Sequence, residues 1–468
     1  MNRKVKNLII ILVIIVMVEL GVIIISFSRN STQNTQNELG MSQSGMGTPP
    51  EKPNGDAPMQ PGGGMNSNGG SVTYTATREI AESSDLSGET ITSTNSDENG
   101  ILVTGDIEVN ISDVTVEKSG DSDGGDTSNF YGNNSAIIAK DGATLNIDGA
   151  TVTTNASGAN GVFSYGGSAT TNNSSSDGTT VNISNSQITT TGDNAGGIMT
   201  TGGGTTVASN LIINTSGTSS AAIRSDRGGG TVVVDNGTYT TTGNGSPTIY
   251  STADITVSNA TLIAKASEGV VIEGANTVNL ENCDLIDSNT KLNGQSTTYK
   301  NVFLYQSMSG DASTGTATFT AKNSNITTTN GDSFYITNTI ATINLSNNTI
   351  INNDTTGNFL RAQKDSWGTT GSNGGNVTLN MTSQTAKGNI VIDSISTLAM
   401  KLETESYYEG TINSENTAKE ITLKLDSTSK IKLTGDSYIT TLEDADTTYS
   451  NIDFNGYTLY VNGIAVNK

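Results

Sequence analysis

Residues 231–241, TVVVDNGTYTT, place apolar side chains at Val232 and Val234, break at Asn236 and return to an apolar position at Tyr239. The same frame fits Leu145, Ile147, Gly149 and Val152, then Val181, Ile183, Asn185 and Ile188, and again Ile255, Val257, Asn259 and Leu262. Val278, Leu280, Asn282 and Leu285 continue it. Phe319, Ala321, Asn323 and Ile326 give a looser copy, and Ile343, Leu345, Asn347 and Ile350 close the series. Apolar residues two apart share one face of a strand. The Asn or Gly that follows suits a left-handed turn, and the next apolar residue opens another strand on the inward side.

A second apolar column precedes these copies at Ile138, Phe163, Ile198, Ile223, Ile249, Val271, Phe303, Tyr335 and Leu360, at intervals of 22 to 35 residues. Three short strands per coil, with loops of variable length between them, predict an all-β right-handed parallel β-helix, a solenoid. Asn185, Asn236, Asn259 and Asn282 should stack as a ladder of side-chain amides at one turn. Residues 102–452 hold about a dozen coils, which at roughly 4.8 Å each make a rod on the order of 60 Å long. A propeller or an immunoglobulin-like array would need antiparallel strands and more aromatic residues, and neither explains an Asn column. The final stretch, NIDFNGYTLYVNGIAVNK, is rich in aromatics and suits a closing cap.

The alternation is absent at the N-terminus. Residues 8–27 are almost wholly apolar and follow Arg3, Lys4 and Lys6. Twenty helical residues cover roughly 30 Å, enough to span a bilayer, and the flanking charge puts the body of the chain outside the cytoplasm. Glu19 costs about 2.5–3.5 kcal/mol in such a span, which the surrounding Ile, Leu and Val absorb. The run lacks the short apolar core and small-residue cleavage site of a removable signal, which favours an uncleaved anchor. Residues 29–70 lack apolar periodicity and hold five of the six prolines, as a flexible tether does. The expected organisation is a membrane anchor over 1–28, a tether over 29–70 and the solenoid with its end caps over 71–468.

Composition narrows the chemistry. Only 33% of the 468 residues are hydrophobic and 53 are Gly, which suits a thin core fed by short strands. A net charge of −22 argues against nucleic acid as a partner. With no His, triads, His-ligated zinc and imidazole acid–base catalysis are excluded. Cys283 stands alone, inside a repeat, and reads as core filler.

The stretches SGANGVFSYGG, GGIMTTGGGT, AAIRSDRGGGTVVVDNGTYTTTGNGSPTIYSTADITVSNATL and SMSGDA resemble bacterial adhesin-like surface proteins with a pectate-lyase-like right-handed β-helix, over roughly residues 90–460. The resemblance implies the fold and exposure at the cell surface, and assigns no catalytic residue.

If the second column points inward, then Met199, Arg224, Tyr250, Ile272, Leu304, Ile336 and Arg361 point outward. With Tyr165, Asp226, Arg227, Glu273 and Tyr305, members of this stripe would bind a glycan or a cell-surface protein by stacking and hydrogen bonding. The other outcome is that the long loops GGSATTNNSSSDG and SMSGDASTGTA fold back over the stripe and bury it. Polysaccharide lyases of similar fold use carboxylate-held calcium and an Arg or Lys base, so Arg224, Arg227 and Glu273 leave a calcium-assisted lyase on acidic polysaccharide as the alternative to non-enzymatic adhesion. In GDSDGGDTSN, Asp121, Asp123 and Asp126 form a candidate calcium loop. It departs from the EF-hand pattern at Gly125 and Asp126 and lacks the closing Glu, so an acidic solvated loop is the other reading.

Overall fold

The structure, a computed structural model, describes residues 72–466 apart from 123–124, 169–174 and 295. The expected anchor and most of the tether lie outside these residues. Among the described residues no helix is long and apolar enough to cross a membrane.

Among the described residues parallel pairing runs from one coil to the next, from Ala76–Ile80 to Leu459–Val461. One sheet of twelve strands begins at Ala76–Ile80 and ends at Ile390–Ile392; a second of twenty-one carries the other two strand sets of most coils, and toward the C-terminus one set continues as a separate sheet of four strands from Thr385–Lys387 to Ile452–Asp453. The two sets merge because Gly204–Thr215, Gly230–Thr241 and Asp254–Ala264 pass through the corner without a break. This is the arrangement of a parallel β-helix, as the repeating frame predicts. Among the described residues antiparallel pairing is confined to Leu459–Val461 and Ile464–Ala465, in the closing segment, where Tyr438 and Tyr460 stack at 4.7 Å.

The corner residues take the left-handed conformation that the frame requires, with φ of 50° at Asn185, 63° at Asn236, 56° at Asn259 and 55° at Asn282. Asn210, also left-handed, joins them, so Asn236 donates to Asn210 at 2.7 Å and Asn210 to Asn185 at 3.1 Å. The ladder then breaks, since Asn259 donates to Asp235 at 2.6 Å, and resumes from Asn282 to Asn259 at 3.3 Å. A further amide row lies on the outside of the adjoining strands, where Asn182 donates to Asn146 and Asn146 to Asn110. Cys283 is buried in the core, with Sγ 3.3 Å from the carbonyl of Val257.

The second apolar column needs correction. Pairing sets Val162 beside Ile198 and Phe163 beside Met199, and farther along Val270 beside Val302 and Val271 beside Phe303. The inward row therefore runs through Val162, Ile198, Ile223, Ile249, Val270, Val302, Phe334 and Leu360, all part of the central core. Ile138, Phe163, Val271, Phe303 and Tyr335 belong to the opposite face, while Ile272, Leu304 and Ile336 point into the core. These strands are apolar on both faces, so alternation supplies no phase, and an error of one residue exchanges the faces.

Candidate functional site

The outer face of the twelve-stranded sheet is not an open platform. Its row runs through Phe163, Met199, Arg224, Tyr250, Val271, Phe303, Tyr335 and Arg361, and all but Arg361 lie beneath segments that return from elsewhere. Near one end, Phe130 from the helical turn Thr127–Tyr131 packs with Leu102, Ile138, Phe163, Tyr165 and Met199. Thr201 Oγ1 donates to the Phe130 carbonyl at 2.8 Å, and Tyr131 meets Tyr165 edge-on at 5.7 Å. Farther along, Trp367 lies 5.3 Å from the Phe303 ring and 5.4 Å from that of Tyr305, closing a cluster with Val271 and Tyr335. Met199 is fully buried beneath its cover and Leu304 is fully buried in the central core, so neither belongs to an exposed stripe.

Between the two aromatic clusters lies a buried polar network. Arg224 donates to Asp226 at 2.9 Å, to Asn129 at 3.2 Å and to the Ser219 carbonyl at 3.1 Å. Arg227 lays its guanidinium 4.0 Å over the Phe130 ring and donates to Asp311 Oδ1 through Nε at 3.0 Å and Nη2 at 2.6 Å. Glu273 accepts from Tyr250 at 2.5 Å and Tyr305 at 2.9 Å through one oxygen and from Ser307 through the other. Ser307 shares a hydroxyl bond with Ser309, which accepts the Asp311 N–H at 3.2 Å. The loop over residues 306–313 is thereby fastened at Glu273 and Arg227.

The electrostatics follow from burial. Asp226 is pushed up to about 6 by desolvation, which the facing Arg224 opposes and Asp311 reinforces. Desolvation also lifts Glu273 above the usual carboxylate range, although three hydroxyls donate to it. Tyr250 and Tyr305 are raised by burial and by the charge of Glu273. Every charged group of the network thus has a partner inside the protein.

Six of the ten expected binding residues, Arg224, Asp226, Arg227, Tyr250, Glu273 and Tyr305, meet here; Tyr165 and Met199 lie in the first aromatic cluster. Arg361 stands apart, donating through Nε to Asp332 at 2.6 Å. Ser307 and Asp311 belong to SMSGDASTGTA, one of the two loops expected as a possible cover, though neither residue was singled out; Asn129 and Trp367 were not foreseen. They come from loops without periodicity, and Arg227 and Asp311 are 84 residues apart.

The GGG run after Arg227 follows from close backbone approach: a Cβ on Gly230, where φ is 146°, would lie 2.3 Å from the Gly204 carbonyl oxygen. Gly228–Gly230, Asp254, Asn276 and Asp311–Ser313 line a shallow cleft of about 330 Å³ beside the network.

Of the candidate calcium loop, Asp123 lies outside the described residues. Asp121 is exposed and accepts the Ser157 N–H at 2.8 Å, and Asp126 is exposed. Among the described residues no three carboxylates or thiols gather as a metal site.

Fold and site together define a parallel β-solenoid with one face sealed by loops. In comparisons with known proteins, no family model, no curated protein and no solved structure matches the chain.

Proposed function

We propose that this chain is a non-enzymatic binding protein of the cell surface: a right-handed β-helix, held outside the membrane by residues 8–27, that engages a glycan or a neighbouring cell-surface protein without altering it. The right hand follows from the twist of strands and crossovers in L-polypeptides. The observation that carries the binding reading is the saturation of the network. Glu273 already accepts three hydroxyls, and Arg224 and Arg227 are paired with Asp226 and Asp311, which leaves no poised base beside an open substrate groove. The two uncovered strand sets, by contrast, offer rows of hydroxyl and amide groups such as Asn110, Asn146 and Asn182, suited to sugar hydroxyls. The cleft beside Asp311 adds a recess at the edge of the cover.

A glycan array probed with the full chain, with and without calcium, tests this reading. Retention of defined glycans with their structure intact supports it. Release of unsaturated uronides, seen by ultraviolet absorbance, would replace it with the lyase.

A further inference from the structure

Threonine fills five of the ten positions, from Ser93 to Asn352, in the inward column that closes the third strand of the coils. Thr154, Thr190 and Thr215 each donate to a backbone carbonyl five residues ahead, at 2.8, 2.5 and 2.5 Å. Lys118 occupies the same column and satisfies its ammonium on the carbonyls of Asn95 and Gly120, at 2.8 and 2.7 Å. Asp287 also stands there, paired with Ala264 on one side and Thr328 on the other. Its Oδ1 accepts the Asn289 N–H at 3.1 Å, but its Oδ2 is buried without a hydrogen-bond partner.

Asn289 in turn donates to the Lys300 carbonyl at 3.0 Å, which ties this corner to the strand Lys300–Tyr305. The Lys300 side chain is wholly enclosed. Its Nζ lies 4.5 Å from the Phe303 ring centre and 5.1 Å from that of Tyr335, and donates to Ser296 Oγ at 2.9 Å and the Thr298 carbonyl at 3.0 Å. Glu268 precedes Val270 as Lys300 precedes its neighbour Val302, so the two face each other across adjacent coils. Their side chains, 6% and 0% exposed, hold Oε1 and Nζ at 3.5 Å. Asp332, on the other side of Lys300, is taken up by Asn358 and Arg361.

The cost of taking two such charges out of water offsets much of their mutual attraction. A neutral amide removes both charges. We propose that Lys300 and Glu268 condense into an intramolecular isopeptide bond, with the Asp287 carboxyl as the assisting acid. The Lys300 ammonium first passes a proton to the Glu268 carboxylate, which gives a neutral amine and a neutral acid. Nζ then attacks Cδ; one C–N bond forms, one C–O bond breaks and one water leaves. Asp287 lends a proton to the Glu268 oxygen as the tetrahedral centre forms and takes one back from nitrogen, ending unchanged. No oxidant or cofactor enters. Burial pushes Asp287 up to about 9, a shift that the Asn289 N–H and Lys300 oppose and Glu268 reinforces, so it carries its proton at neutral pH. The aromatic wall keeps out the water that would hydrolyse the amide.

The test is a peptide map of the full chain. The intact mass should fall one water below that of the sequence, and trypsin should release residues 266–291 joined to 292–322 through an uncleaved Lys300. Lys300→Arg and Asp287→Asn should restore the full mass and abolish the joined peptide while the β circular dichroism persists. Should Lys300→Arg fail to fold, the wild-type map decides alone. Separate peptides 266–291 and 292–300 at full mass overturn the bond, as does a water loss confined to 266–291. A joined peptide in Asp287→Asn overturns the role given to Asp287.

Discussion

Asn236 holds a left-handed backbone and passes its side-chain amide to Asn210, so its replacement removes two contributions at once. Asn236→Leu should cost about 1–3 kcal/mol in denaturant unfolding, and Asn236→Gly, which keeps the turn, clearly less. Protonation supplies a second test. Asp226 and Asp287 are held by burial at about 6 and about 9, so the folded chain keeps protons that the unfolded chain has released. Their effect makes stability fall as pH rises, from about 4 to 6 for Asp226 and on to about 9 for Asp287. Asp446, held low by the hydroxyls of Ser450 and Thr448, acts in the opposite window: its support is full above about 4 and is lost below it. The melting temperature should therefore peak in mild acid, and Asp287→Asn should flatten its decline between about pH 6 and 9. The turn residues were legible because left-handed φ selects Asn and Gly. Asn210 escaped because Thr206 and Ala208 fill the apolar positions before it, and Thr206 satisfies its hydroxyl on Thr200 at 2.7 Å inside the coil.

Among the elements, the strand Lys300–Tyr305 shows what periodicity leaves open. VFLY is apolar at every position, so Phe303 and Leu304 exchange places under a shift of one residue, and only pairing with Asp332–Thr337 decides between them. Because Leu304 lies in the central core, Leu304→Ala should cost about 2–5 kcal/mol in chemical denaturation, a loss too large for a surface contact. The cover gives a separate test. Asp311 is nearly buried and anchors its loop to Arg227, so Asp311→Ala should destabilise the chain by about 1–3 kcal/mol. Trp367, the single tryptophan, packs on the neighbouring aromatic cluster, and its emission should move to longer wavelength if that variant loosens the cover. The sequence reading placed Met199, Arg224, Tyr250 and Arg361 on the outer face but lost the phase at Ile272, Leu304 and Ile336; it offered burial under SMSGDASTGTA as one outcome, whereas nothing in the segments around Phe130 and Trp367 reveals where they land.

At the scale of the solenoid, the stacking of coils was readable from the repeat, and closure at the C-terminal end from its loss after residue 450. The site was legible only in part: six of its residues were named from the sequence, but their pairing was not, since the partners converge from segments up to 95 residues apart, as Arg224 and Asn129 are. An open last coil would expose a row of unpaired backbone groups, and the C-terminal hairpin covers part of that edge. Removal of residues 437–468 should therefore give concentration-dependent association in light scattering while most β signal persists. The direction of pairing also has a mechanical meaning. Hydrogen bonds between coils point along the stacking axis, so tension drawn between the two ends loads the coils in series; each carries the same force, and an end coil, paired on one side only, yields first. From Ile198 to its partner Ile223 is one coil, and a coil of this size, once freed, adds roughly 80 Å of slack. A rod of this kind limits the force it transmits by lengthening in increments, as a line does when it leaves a reel under drag.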